Sequence, residues 1–264
     1  MRLFAFLIVY KYSTKIMLKK ERQAIILRNV NLHNRLLVTD ISEEIKVSED
    51  TIRRDLQELA DDGKLIKVHG GALSKSFHNS FNSSAVYAME NKKMIAKKAA
   101  TLIKDGMFVL TSGGTTIIEM SKALSRDLHA TFITGSVPAA FEYMQHPNIE
   151  IILIGDKLNK GSQITVGGEA IAKIKQIRAD ICFLGINALH VSHGLTDNDW
   201  EVVQVKKAMM ESSEKTAVLT ISEKINTTQR IRICDTKNID MLVTELSAED
   251  ELIQPFKNIG LTVL

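Results

Sequence analysis

Ser48, Thr51, Arg53 and Arg54 stand within two helical turns of one another in the string VSEDTIRRDLQELADDG. Arginine presents a planar fork of donors that can take two acceptors at once, on a guanine edge or on a phosphate, so this set is suited to reading duplex DNA. A second constellation, TSGGTT at 111–116, places Ser112, Gly113, Gly114, Thr115 and Thr116 between a strand-like run and a helical one. Its amides, hydroxyls and helix dipole suit an anion such as phosphate. The same residues also make an ordinary glycine turn with a threonine cap, and their spacing leaves both readings open. The loop matches neither a Walker A nor a GxGxxG pattern, so nucleotide hydrolysis and dinucleotide binding have no support.

The arginines need a helix to present them. Ser48 is a good N-cap, Glu49 and Asp50 suit the positive end of the helix dipole, and Ile52, Leu56 and Leu59 form one buried stripe. That stripe turns Thr51, Arg53 and Arg54 outward near the amino end, the part of a recognition helix that enters the major groove. Upstream, Ile25, Ile26 and Val30 mark a first helix, with Glu21, Arg22 and Arg28 off its apolar face. Leu36 to Val38 is a short β-like run, and Thr39 is expected to cap a second helix carrying Ile41 and Ile45. Downstream, Leu65 to Val68 reads as a wing strand and Gly70 and Gly71 as its turn or exit. Lys64, Lys67 and His69 are placed there for backbone phosphates. Residues 17–73 thus read as a winged helix-turn-helix.

Residues 74–86, rich in Ser, Asn and Phe, are expected to be a linker, and residues 87–264 a second domain. Strand-like runs at 107–110, 131–134, 149–154, 181–186, 217–221 and 241–244 alternate with helical patterns such as 94–104 and 115–124. That alternation predicts an α/β domain with a largely parallel sheet, whose ligands bind beyond the carboxyl ends of the strands. The chain has 264 residues, 45% hydrophobic and 25% charged, which suits two soluble domains rather than a disordered or fibrous chain. Its net charge of +3 is concentrated in the first 76 residues, as attraction to DNA phosphate would require. Cys182 and Cys234 lie in apolar runs without metal-ligand spacing, so buried thiols in a reducing cytoplasm are expected. Leu3 to Tyr10 is too short to span a bilayer, and translation is expected to start at Met17.

The string VSEDTIRRDLQELADDGKLIKVHGGA closely resembles the DNA-binding signature of the DeoR family of bacterial repressors. The resemblance implies recognition-helix roles for Ser48, Thr51, Arg53 and Arg54, and wing roles for His69, Gly70 and Gly71. Later blocks, DGMFVLTSGGTT from 105, ITGSVPAA from 133, VGGEAI from 166, GLTDNDWEVVQVKKAMM from 194 and SEK from 222, are similar to that family's carboxyl-terminal domain. That domain looks like sugar-phosphate isomerases and implies a phosphorylated sugar as effector, with residues 112–116 and Lys224 as phosphate ligands and Glu201 as a sugar contact. The chain departs from the family pattern at Thr111, Gly135 and Ile221, where acidic, Asn and Asp residues are usual.

The expected function is therefore a repressor of carbohydrate-metabolism genes, acting on double-stranded operator DNA as a dimer or tetramer. No metal, cofactor or membrane is expected. Two other readings remain: an isomerase-like enzyme using Glu201, His190, His193 and Lys224, and a constitutive DNA-binding protein whose second domain only oligomerises.

Overall fold

The computed structural model describes residues 17–33, 35–75 and 86–264. The expectations for residues 1–16 and for most of the linker lie outside the described residues. The amino-terminal domain runs α1 (Lys19–His33), β1 (Arg35–Leu37), α2 (Val38–Ile45), α3 (Glu49–Asp61), β2 (Leu65–Val68) and β3 (Gly71–Ser74). Its three strands form an antiparallel sheet in the order β1-β3-β2, the wing of a helix-turn-helix. Ile26 and Val30 of α1 meet Ile41 of α2 and Ile52, Leu56 and Leu59 of α3 in one closed core, as the apolar spacing predicts.

Three details correct the sequence reading. Thr39 does not cap α2: the helix starts at Val38, and no side chain caps it. The Val38 N–H instead donates to the carbonyl of Gly70 at 2.9 Å, so the wing supplies the acceptor that a capping side chain usually gives. Arg22 does not simply face solvent. Its Nη2 donates to Asp55 Oδ1 at 3.1 Å, and its Nε makes a second bond to the same carboxylate, tying α1 to α3. Finally, Ser74 belongs to the wing rather than the linker: it ends β3, and its hydroxyl donates to Asn31 Oδ1 at 2.8 Å.

The second domain is built on a seven-stranded sheet in the order β15-β14-β12-β9-β4-β5-β6, parallel throughout. Its strands are β4 (Phe108–Thr111), β5 (Ala130–Thr134), β6 (Ile149–Leu153), β9 (Ile181–Gly185), β12 (Thr216–Leu219), β14 (Met241–Val243) and β15 (Thr262–Val263). Helices α4 (Met89–Ala100), α5 (Thr115–Lys122), α6 (Val137–Tyr143), α7 (Gly168–Ile174), α8 (Trp200–Glu211) and α9 (Gln254–Asn258) accompany it. Two large apolar clusters cover the sheet. The helix expected at 94–104 begins earlier, because the polar run Glu90 to Lys93 hides its first turn from an apolar count.

A smaller antiparallel sheet, β10 (Ala188–His190), β11 (Gly194–Asp197) and β13 (Ile231–Cys234), was not foreseen, nor was the hairpin of β7 (Lys157–Asn159) and β8 (Ile164–Val166). Strands of three or four residues are too short to carry a period. Among the described residues no helix is long and apolar enough to cross a membrane.

Candidate DNA interface and ligand cavity

Ser48 caps α3 as expected, its Oγ accepting from the Thr51 N–H at 3.4 Å and lying 2.9 Å from Thr51 Oγ1. Arg53 and Arg54 are both exposed on the outer face. The Arg53 side chain is ion-paired one turn back with Glu49 at 2.7 Å, whereas the Arg54 side chain has no hydrogen bond or ion pair among the described residues. Lys67 reaches from the wing to the same helix, donating to Gln57 Oε1 at 2.7 Å. Gly70 and Gly71 shape the backbone: Gly70 has φ +74°, and a Cβ on Gly71 would lie 1.9 Å from the Leu36 carbonyl oxygen. His69 is exposed and borders a cavity between the two domains.

That cavity, of about 490 Å³, opens at the carboxyl ends of β4, β9 and β12. Gly113, Gly114, Thr115 and Thr116 line it at the start of α5, with Lys92, Lys206 and Lys224 beside them. Asn159, Ser162, Asp197 and Asp199 lie on its walls, and Asn31, His33, Arg35 and His69 close it from the DNA-binding domain. Among its polar atoms Ser162 Oγ is buried without a hydrogen-bond partner.

The charges are unequally satisfied. Lys206 donates to Asp197 Oδ2 at 2.8 Å, and Asn187 Nδ2 donates to Asp197 Oδ1 at 2.8 Å. Burial pushes the Asp197 carboxyl up, but Lys206 and these hydrogen bonds more than offset it and hold the group below the usual carboxylate range. Asp199 is occupied by the amides of Glu201 and Val202, which it caps, and by Asn159 Nδ2 at 3.0 Å. Lys224 has only the Ile186 carbonyl, at 2.7 Å. Burial lowers its pKa to about 7, with repulsion from Lys92 and Lys206 adding to the effect. Lys92 is 7% exposed, and its ammonium has no hydrogen bond or ion pair among the described residues. Burial lowers it to about 8 against the attraction of Glu119 and Glu223. A buried cation left in this state is costly, and an incoming anion relieves the cost.

The structure brings residues 113–116 and Lys224 together, but not Ser112 or Glu201. The Ser112 hydroxyl accepts from the Gly185 N–H at 2.9 Å and faces a small neighbouring void, so it braces the loop from behind. Glu201 points outward, 2.9 Å from Lys157, while Asp199 two residues earlier takes the cavity position. His190 and His193 lie outside the cavity lining, their rings tilted against each other with centroids 4.7 Å apart, so the acid/base set of the enzyme reading is not assembled.

The three departures from the family pattern each have local partners. Thr111 Oγ1 accepts from Tyr143 OH at 3.3 Å, a Cβ at Gly135 would lie 2.6 Å from Thr165 Oγ1, and Ile221 is part of the cavity wall. Sequence reasoning missed Lys92, Lys206, Asp197 and the whole contribution of the DNA-binding domain. Lys92 sits in ENKKMIAKK, where nothing marks it from its solvated neighbours.

Residues 22–77 match the DeoR-like helix-turn-helix domain and residues 87–246 the DeoR C-terminal sensor domain. The chain is 31% identical over 246 residues to the HTH-type transcriptional regulator GolR of Listeria innocua, covering 92% of this chain and 97% of that one. It is 30% identical over 223 residues to the glycerol-3-phosphate regulon repressor of Haemophilus influenzae, covering 83% and 86%. Among solved structures, ribose 5-phosphate isomerase A of Methanocaldococcus jannaschii aligns with a TM-score of 0.36 and 21% identity, over 50% of this chain and 52% of that one. With both domains matched and regulators of transcription aligned with it over most of their length, the chain belongs to the DeoR family of helix-turn-helix transcriptional regulators, and it is a regulator rather than an enzyme.

Proposed function

We propose that the protein represses carbohydrate-metabolism genes and that a phosphorylated sugar, held in the cavity between its domains, controls its grip on the operator. The observation that carries the ligand class is the pair of buried lysines without an ion pair, Lys92 and Lys224, beside the Gly113–Thr116 loop in one cavity. The phosphate belongs at that loop and those lysines, and Asn159, Ser162 and Asn198 offer hydrogen bonds to sugar hydroxyls. A relative described as a glycerol-3-phosphate regulon repressor is consistent with a phosphorylated signal. The test is operator binding, read by fluorescence anisotropy, across a panel of sugar phosphates and their unphosphorylated parents. One phosphorylated compound should change the affinity and its parent should not. If none does, the second domain serves oligomerisation alone.

Lys92→Met is expected to abolish that response and at the same time to raise the urea midpoint of the unliganded protein. It replaces a buried cation that makes no ion pair by an apolar side chain of similar length. A response that survives, or a midpoint that falls, argues against the role given to Lys92.

Anion affinity should also fall as pH rises. Lys224 faces Lys92, Lys206 and Asp197, and Lys92 faces Glu119 and Glu223. Both lysines are charged below their lowered values of about 7 and about 8 and lose the proton above them, so the attraction is present at low pH and lost at high pH. Sulfate, which does not itself titrate here, should bind at least about tenfold more weakly at about pH 9 than at about pH 6. Calorimetry at matched ionic strength reads this, and a flat profile would argue against it.

Self-association is part of the same proposal, because one recognition helix reads only a few base pairs. Among the described residues β6 is an edge strand that leaves Ile152 and Leu153 exposed, and Met144 is exposed just after the neighbouring α6. An apolar, unpaired sheet edge of this kind favours pairing with a second copy.

A further inference from the structure

We propose that the cavity is a shared site, in which an anionic ligand is held by both domains at once and Arg35 and His33 of the DNA-binding domain complete the shell begun by Lys92, Lys224 and the Gly113–Thr116 loop. This rests on the reading of the cavity as an anion site. Arg35, the first residue of β1, lines the cavity with an exposed guanidinium that has no hydrogen bond or ion pair among the described residues. His33 ends α1 with Nδ1 placed 3.2 Å from the Asn187 carbonyl oxygen and 3.1 Å from Gln229 Nε2. The imidazole is therefore fixed on the sensor domain rather than left in solvent.

The charge balance points the same way. Asp197 is neutralised by Lys206, and Asp199 is taken up by a helix cap and Asn159. That leaves Lys92 and Lys224 on one side of the domain boundary and Arg35 on the other, none of the three side chains in an ion pair among the described residues. With the lysines protonated, groups of like charge line the cavity from both domains, and a phosphate between them turns that repulsion into attraction.

The remaining ties across the boundary are modest. Arg28 meets Glu223 at 3.3 Å and Arg230 meets Asp40 at 2.6 Å, both exposed pairs of the kind worth little in water, and Leu32 packs into the sensor core. The ligand is thus a substantial part of what docks the DNA-binding domain. The wing feels it directly, because His69 at the cavity rim adjoins Gly70, whose carbonyl holds the start of α2.

The test uses the full chain with inorganic phosphate as probe. Calorimetry on the wild type, Lys224→Met and Arg35→Ala is paired with amide hydrogen exchange on the wild type. Phosphate should bind the wild type, Lys224→Met should lose it, and Arg35→Ala should weaken it about tenfold, as loss of one charge-assisted contact does. Phosphate should also slow exchange at residues 35–37 and 68–73. Unchanged affinity in Arg35→Ala, or unchanged exchange in those segments, overturns the shared site and leaves the sensor-domain anion site standing. Absence of phosphate binding by the wild type, or binding indifferent to Lys224→Met, overturns both.

Discussion

Replacing Arg53 and Arg54 together by Ala is expected to cut operator affinity by roughly a hundredfold or more. Each arginine is exposed near the amino end of α3, and one bidentate base or phosphate contact there is worth about 1–3 kcal/mol. The single variants should differ. Arg53 must first give up Glu49, 2.7 Å away, before it reaches DNA, whereas Arg54 has nothing to give up. Arg54→Ala should therefore be the more damaging of the two. Anisotropy measured across a series of salt concentrations separates the contacts further: a lost phosphate contact reduces the salt dependence by about one counterion, while a lost base contact leaves the slope and relaxes sequence preference. A double variant within threefold of the wild type would remove α3 from the reading role.

The second large effect is on stability. Asp55 is 2% exposed and is held by two bonds from Arg22, which is itself mostly buried. The hydrogen bond to Asp55 raises the Arg22 pKa still further, so the guanidinium stays charged throughout the accessible range. Asp55→Ala leaves that charge partly buried with only the more distant Glu58 to attract it, at a cost of about 3 kcal/mol. A domain with as small a core as α1 to β3 has little stability in reserve, and it should unfold well before its partner. Trp200, the sole tryptophan, lies in the second domain, so its fluorescence should keep a near-normal urea transition while the far-ultraviolet helical signal loses part of its amplitude early. Asp55→Asn, which keeps an acceptor, should be milder. A loss below about 1 kcal/mol in Asp55→Ala would show the pair to be dispensable.

How much of this was readable in advance depends on where the signal resides. Helix α3 is legible to within a residue because Ser48, the acidic first turn and the Ile52–Leu56–Leu59 stripe all agree on it. The parallel sheet was legible because its strands are continuous apolar runs. Arg22 was misplaced because helical periodicity sorts residues by hydrophobicity, and a buried ion pair looks polar. Thr39 was given a cap it does not make, since the true acceptor, the Gly70 carbonyl, is distant in sequence and has no side-chain signature.

The site divides in the same way. Residues 113–116, contiguous in sequence, do line the cavity. Its remote parts, Lys92 and the residues of the DNA-binding domain, are joined only by folding. Lys224 was found by family resemblance, and the same resemblance drew attention to Glu201, which shares a helix turn with the cavity wall but points away from it.

The bond from the Val38 amide to the Gly70 carbonyl bears on what can be transplanted. A helix capped by its own side chain carries its start with it; α2 borrows its start from a strand turn more than thirty positions later, and β1 likewise pairs with β3 rather than with anything nearby. The reading head is accordingly not a portable three-helix cassette. A chimera joined between α3 and β2 would inherit an open helix end and an unpaired strand, whereas one joined beyond Lys75 would carry the binding specificity intact.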